Sequence, residues 1–161
     1  LCRLMQSNEF GEVFVDINIR PPFFTKDVIG FAIQSATILK ISLEELSLVA
    51  DALDITGFED YREFLKILTK RFSNLKIVIA TLGEDGAYAY DATDDQEYSC
   101  AGENVSVAST VGAGDSFSAA FLHKYFCGSG LQLSLEYANK IAGLVVSQYD
   151  AVPDYIVQGV N

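Results

Sequence analysis

"KIVIATLGEDGA", residues 76–87, decides the fold. Its first seven residues are continuous and apolar, as in a strand of a parallel sheet covered on both faces. Gly83 and Gly86 then bracket a turn into "AYAYD". Upstream, "EVFVDI" (12–17) and "TILKI" (37–41) read as two more short strands. Between them "TKDVIGFAIQSA" has helical spacing with Thr25 as N-cap. Ser42-Leu-Glu-Glu45 is a capping box that opens a helix through Leu53. Thr56-Gly-Phe-Glu59 repeats the device before "YREFLKILTKRF", where Phe64, Leu65, Leu68 and Phe72 form one apolar stripe. Downstream, "EYSC" and "VSVAS" read as an antiparallel run at one edge, followed by helices over about 114–127 and 134–147. Strands alternating with helices predict an α/β layered fold, without repeats or low-complexity segments.

At 161 residues the chain fits one domain, and 50% hydrophobic against 20% charged residues marks it as globular. The net charge of −11 and the lack of basic blocks argue against nucleic acid, although a small phosphorylated ligand needs only a local positive field. Cys2, Cys100 and Cys127 form no C-x-x-C pair and read as reduced thiols of a cytoplasmic protein. No apolar run suggests a membrane span. The start, "LCRLMQSNEF", has no secretory pattern and begins within a helix-like segment, so further chain upstream is expected.

Four places carry potential chemistry. In "ASTVGAGDSFSAAFL" (108–122) the small residues Gly112, Ala113 and Gly114 run into Asp115 at a helix start. Free amides of a first helical turn bind an anion, and a carboxylate beside it accepts a proton from an attacking hydroxyl. That pairing suits phosphoryl transfer. The competing reading is an ordinary turn with an Asp that suits the helix dipole. No G-K-[ST] follows, Phe117 stands where a Rossmann motif needs a third small residue, and G-x-S-x-G is absent. Thr81, Gly83 and Gly86 follow the best strand, where α/β proteins gather ligands; taken alone, a Gly-rich hairpin turn is the stronger reading. Asp16, Asn18 and Arg20 alternate at a strand end, which period two sends to one face, for a polyol or phosphate or as a simple ion pair. Glu45 is also explained as a cap partner, and His123 as a surface or packing residue.

Taken in order, these segments resemble the ribokinase-like (PfkB) family of sugar kinases from about Val13 to Pro153. The resemblance implies a three-layer α/β/α sheet, mostly parallel with an antiparallel edge. It implies Asp115 as catalytic base, the 112–114 backbone as anion hole, and Thr81, Gly83 and Gly86 on ATP phosphates. "ANKIAGLVVSQYDAVP" places Asn139 near the adenine, and "ILKISLEEL" makes Glu45 the acid that organises Mg²⁺ through waters. Ser42 and the D-x-N-x-R-P pattern at 16–21 are similar to fructokinase-like and 2-keto-3-deoxygluconate-kinase-like branches, with Asn18 and Arg20 on substrate or phosphate. Ser109 and Asp150 depart from the family pattern for a monovalent cation, which weighs against potassium activation.

The family's N-terminal part and β-sheet lid have no counterpart here, so residues 1–161 read as a C-terminal portion of the kinase domain. The expected activity of the parent protein is γ-phosphate transfer from Mg-ATP to a hydroxyl of a ketose or related sugar. The resemblance also allows a homodimer of the full-length protein. These 161 residues alone are expected to phosphorylate no sugar efficiently. The alternative is a non-catalytic nucleotide- or partner-binding fragment of the same fold.

Overall fold

The computed structural model describes residues 11–20 and 24–150. It divides into two compact units, residues 1–99 and 100–161. The readings of "LCRLMQSNEF", of Pro21 and of the closing "AVP" lie outside the described residues.

In the first unit the order is β1 (Phe14–Asp16), α1 (Lys26–Ser35), β2 (Ile38–Ser42), α2 (Leu46–Ala52), α3 (Tyr61–Arg71), β3 (Ile77–Thr81), β4 (Ala87–Asp91) and β5 (Gln96–Cys100). The sheet order follows the chain, β1-β2-β3-β4-β5. β1, β2 and β3 are parallel, and β4 turns back antiparallel to β3. The expected mixed α/β sheet is therefore present, with β3 as the centre that "KIVIATL" promised. Four of the five residues in both β2 and β3 are buried, because helices cover a parallel sheet. Phe64, Leu65 and Leu68 of α3 are fully buried in the same core as Leu39, Ile41 and Val78.

The caps differ from the sequence reading in two places. Thr25 does cap α1, accepting the Val28 amide at 3.2 Å. The cap of α3, however, is Asp60, whose extended backbone lets it accept the Glu63 amide at 2.9 Å. Glu63 reaches back to the Glu59 amide, so the box is Asp60 to Glu63 and not Thr56 to Glu59. Gly57, at φ +81°, makes the preceding turn. Ser42 forms only half a box, because it ends β2 and its hydroxyl donates to Glu45 instead of accepting an amide. α2 accordingly starts at Leu46, after a turn.

A cluster of tyrosines and charges joins α3 to β4 and β5. Tyr61 meets Tyr88 edge to face, and the Lys66 ammonium lies 5.5 Å from the Tyr90 ring centre. Lys66 also hydrogen-bonds Glu97, which holds that carboxylate below its usual range. The Tyr88 hydroxyl is buried beside Glu97 without a well-formed hydrogen bond among the described residues, and burial pushes the phenol up. Tyr88→Phe removes a poorly satisfied buried group and is expected to leave stability unchanged or raise it by up to about 1 kcal/mol. A fall in the urea midpoint would contradict this.

The second unit holds α4 (Ala113–Phe126) and α5 (Leu131–Val146), packed on one another. "VSVAS" is not a strand: the Ala108 and Ser109 amides donate to the Val146 carbonyl at 2.8 and 3.2 Å. A helix end offers just such carbonyls, and they compete with a sheet edge. α5 also begins earlier than Ser134, because Leu131 already belongs to its buried face. Ser134 instead returns its hydroxyl to the Gly130 carbonyl at 2.6 Å. Among the described residues no helix is long and apolar enough to cross a membrane.

Candidate active site

In the first unit the expected residues collect at the carboxyl ends of the parallel strands. Ser42 and Thr81 stand opposite one another as the last residues of β2 and β3. The Leu43 amide donates to the Thr81 carbonyl at 2.9 Å, continuing the ladder one step. Gly83 to Asp85 then form a single 3-10 turn, closed by Leu82 and Gly86. Gly83 and Gly86 have φ of +62° and +98°, so the turn needs glycine at both ends; Gly83 to Asp85 are exposed and Gly86 is buried.

Beyond β1 the period-two alternation stops at Asp16. Asn18 adopts φ +45°, which ends the extended chain and takes the segment out of the sheet. Asp16 does not pair with Arg20; its Oδ2 lies 2.7 Å from Lys40 Nζ. Arg20 Nε instead donates to Asn18 Oδ1 at 3.3 Å, and both side chains are exposed. A cleft of ≈ 330 Å³ is lined by Asp16, Asn18 and Arg20 on its polar side and by Phe24, Val28 and Ile29 on its apolar side. Lys40 is the residue that sequence reasoning missed. A lone lysine inside "ILKIS", a buried strand, was the available signal, because such a charge needs a partner.

Glu45 is heavily engaged. Its Oε1 accepts the Ile19 amide at 2.5 Å, and its Oε2 accepts the Ser42 amide and hydroxyl, each at 2.9 Å. A carboxylate has about four acceptor sites, so room is left for one water. Among the described residues no three His, Cys, Asp or Glu side chains cluster as a metal site. A single carboxylate fits a Mg²⁺ held mainly by phosphates and water.

In the second unit Gly112 is the N-cap of the 14-residue α4, at φ +83°. Ala113 donates to the Thr110 carbonyl at 3.3 Å and Ser116 to the Gly112 carbonyl at 2.9 Å. Among the described residues the Gly112, Gly114 and Asp115 amides have no acceptor. Gly114 and Asp115 are exposed, so amides and carboxylate share an open helix start. Asn139, 8% exposed on α5, donates to the Ala101 carbonyl at 2.8 Å. Ser109 accepts the Val111 amide at 3.3 Å, and the exposed His123 contacts the Tyr137 ring.

A family model described as pfkB family carbohydrate kinase matches residues 1–156. The chain belongs to that family. The 5-dehydro-2-deoxygluconokinase of Halalkalibacterium halodurans is 28% identical over 159 residues, covering 94% of this chain and 46% of that protein. The chain spans less than half the length of the curated relatives it matches. Ribokinase of Thermotoga maritima superposes with a TM-score of 0.73 at 19% identity, covering 89% of this chain and 45% of that one. Aminoimidazole riboside kinase of Salmonella enterica, solved with its riboside and an ATP analogue, gives 0.69 at 23% identity, covering 88% and 49%. The ribokinase-like α/β class expected from the sequence is thereby met in this pfkB chain.

Proposed function

We propose that the protein containing this chain transfers the γ-phosphate of ATP to a hydroxyl of a ketose or a related keto sugar acid. The observation that carries this is the start of α4, where three amides without acceptors stand beside an exposed Asp115. The name of the Halalkalibacterium relative supports a sugar-acid acceptor. In this reading Asp115 orients the acceptor hydroxyl and takes its proton, while within the 112–114 anion hole the Gly112 and Gly114 amides, together with that of Asp115, stabilise charge on the phosphoryl oxygens; the Ala113 amide is held by the Thr110 carbonyl. Thr81, Gly83 and Gly86 hold ATP phosphates, and Asn139 serves the base. Asn18 and Arg20 hold the acceptor or its phosphate. Glu45 orders water around Mg²⁺, which when bound neutralises phosphate charge.

A panel of ketoses and keto sugar acids, with ATP consumption as readout on the full-length protein, tests the reading. ATP binding without turnover of any of them would favour a second reading, a non-catalytic nucleotide- or partner-binding protein. Gly114→Ala separates stability from function. Alanine in this exposed first turn is expected to stabilise by up to about 1 kcal/mol. If the phosphoryl group sits on these amides, the added methyl crowds it and turnover should fall about 10-fold or more. Unchanged turnover would remove Gly114 from the anion hole.

A further inference from the structure

We propose that Glu45 and Lys40 are positioning residues that clasp the segment after β1 on both sides of Asn18, and so present Asn18 and Arg20 to the acceptor. The functional half rests on the phosphotransfer reading; the clasp itself does not.

Three ties define it. On the near side Lys40 Nζ meets Asp16 Oδ2 at 2.7 Å, and the Ile17 amide donates to the Lys40 carbonyl at 3.2 Å. On the far side the Ile19 amide donates to Glu45 Oε1 at 2.5 Å. β1 ends at Asp16, so no strand ladder supplies an acceptor for Ile19. A side chain from the turn after β2 supplies it. The other oxygen of Glu45 is fixed by the Ser42 amide and hydroxyl, so the clasp is anchored on the end of β2.

Between the ties stands Asn18 at φ +45°. A non-glycine residue in that region is strained, and asparagine tolerates it best after glycine. The ties over-determine the segment and hold this conformation. The effect is directional: Asn18 and Arg20 stand exposed at a cleft and are joined by the 3.3 Å contact. Lys40 is only 4% exposed, so its ammonium acts on Asp16 and not on a solvent-borne ligand.

Amide hydrogen exchange reads the clasp without substrate. In the wild-type protein the Ile19 amide should exchange about 100-fold more slowly than in a free peptide, although it lies outside any strand. In Glu45→Ala, which leaves no side-chain acceptor, that protection should vanish while Ile79, in β3, keeps its own. Free-peptide exchange of Ile19 in the wild type overturns the clasp. Kinetics of the full-length protein read its function. Glu45→Ala and Arg20→Lys should each raise the acceptor KM about 10-fold or more. The double variant should be no worse than the worse single one. Additive losses, or an acceptor KM that Glu45→Ala leaves unchanged, would overturn the proposal. If no sugar is phosphorylated at all, the phosphotransfer reading falls, and the exchange data alone decide the clasp.

Discussion

Asp115→Ala is expected to lower kcat for sugar phosphorylation by about 10²–10⁴-fold, the range a positioned general base contributes. ATP affinity should stay near the wild-type value, because the amides at the start of α4 come from the backbone and survive the change. Asp115 is exposed and lies in the first turn, so its loss costs little in packing. The helix dipole favours a negative charge there, which limits the stability loss to about 0.3–1 kcal/mol. Single-turnover measurements at saturating ATP would isolate the chemical step. A kcat like that of the wild type would remove Asp115 from the role of base, and with it the proposed mechanism.

The second large effect concerns stability. Asp16→Ala is expected to cost about 3 kcal/mol, because it leaves the Lys40 ammonium buried and unpaired. The estimate sits at the low end for buried pairs because the Asp16 side chain keeps 24% exposure against 5% for Lys40. Lys40→Met in the same chain should recover most of the loss, since a methionine fills similar volume without a charge to satisfy. Urea denaturation of the two single variants and the double variant measures the coupling. Equal losses that simply add would show that the pair contributes nothing beyond its separate members.

The fold was legible where burial and periodicity agree. "KIVIATL" and "TILKI" read as strands because nearly every residue is covered, and α3 read as a helix because its apolar stripe holds 3.6-residue spacing. "VSVAS" misled because alternating residues describe a strand only when a neighbouring strand is free to pair; here the end of α5 takes the amides first. The cap of α3 was displaced for a similar reason. Two acid-containing boxes overlap in "TGFEDYRE", and the positive φ at Gly57 commits the first to a turn. At the site, the turn at 112–114 leading into a helix was legible from the small residues, whereas a role for Asp115 rested on the resemblance of the ordered segments. The Ser42 partner of Glu45 was legible as a capping box, but the Ile19 partner of Glu45 and the Lys40 partner of Asp16 were not. Both bonds join strands or turns far apart in sequence, and only the parallel register brings them together.

The stretch from 101 to 112 has a ladder of its own nowhere, yet it is tied to α5 at both ends. Ala101 is held by Asn139, and Ala108 and Ser109 by the Val146 carbonyl. Glu103 lies so close to Gly143 that a side-chain carbon there would meet it at 2.7 Å. A protease therefore meets the stretch and the last turns of α5 as one opening unit, and the stiffness of the approach to Asp115 is borrowed from a neighbouring helix.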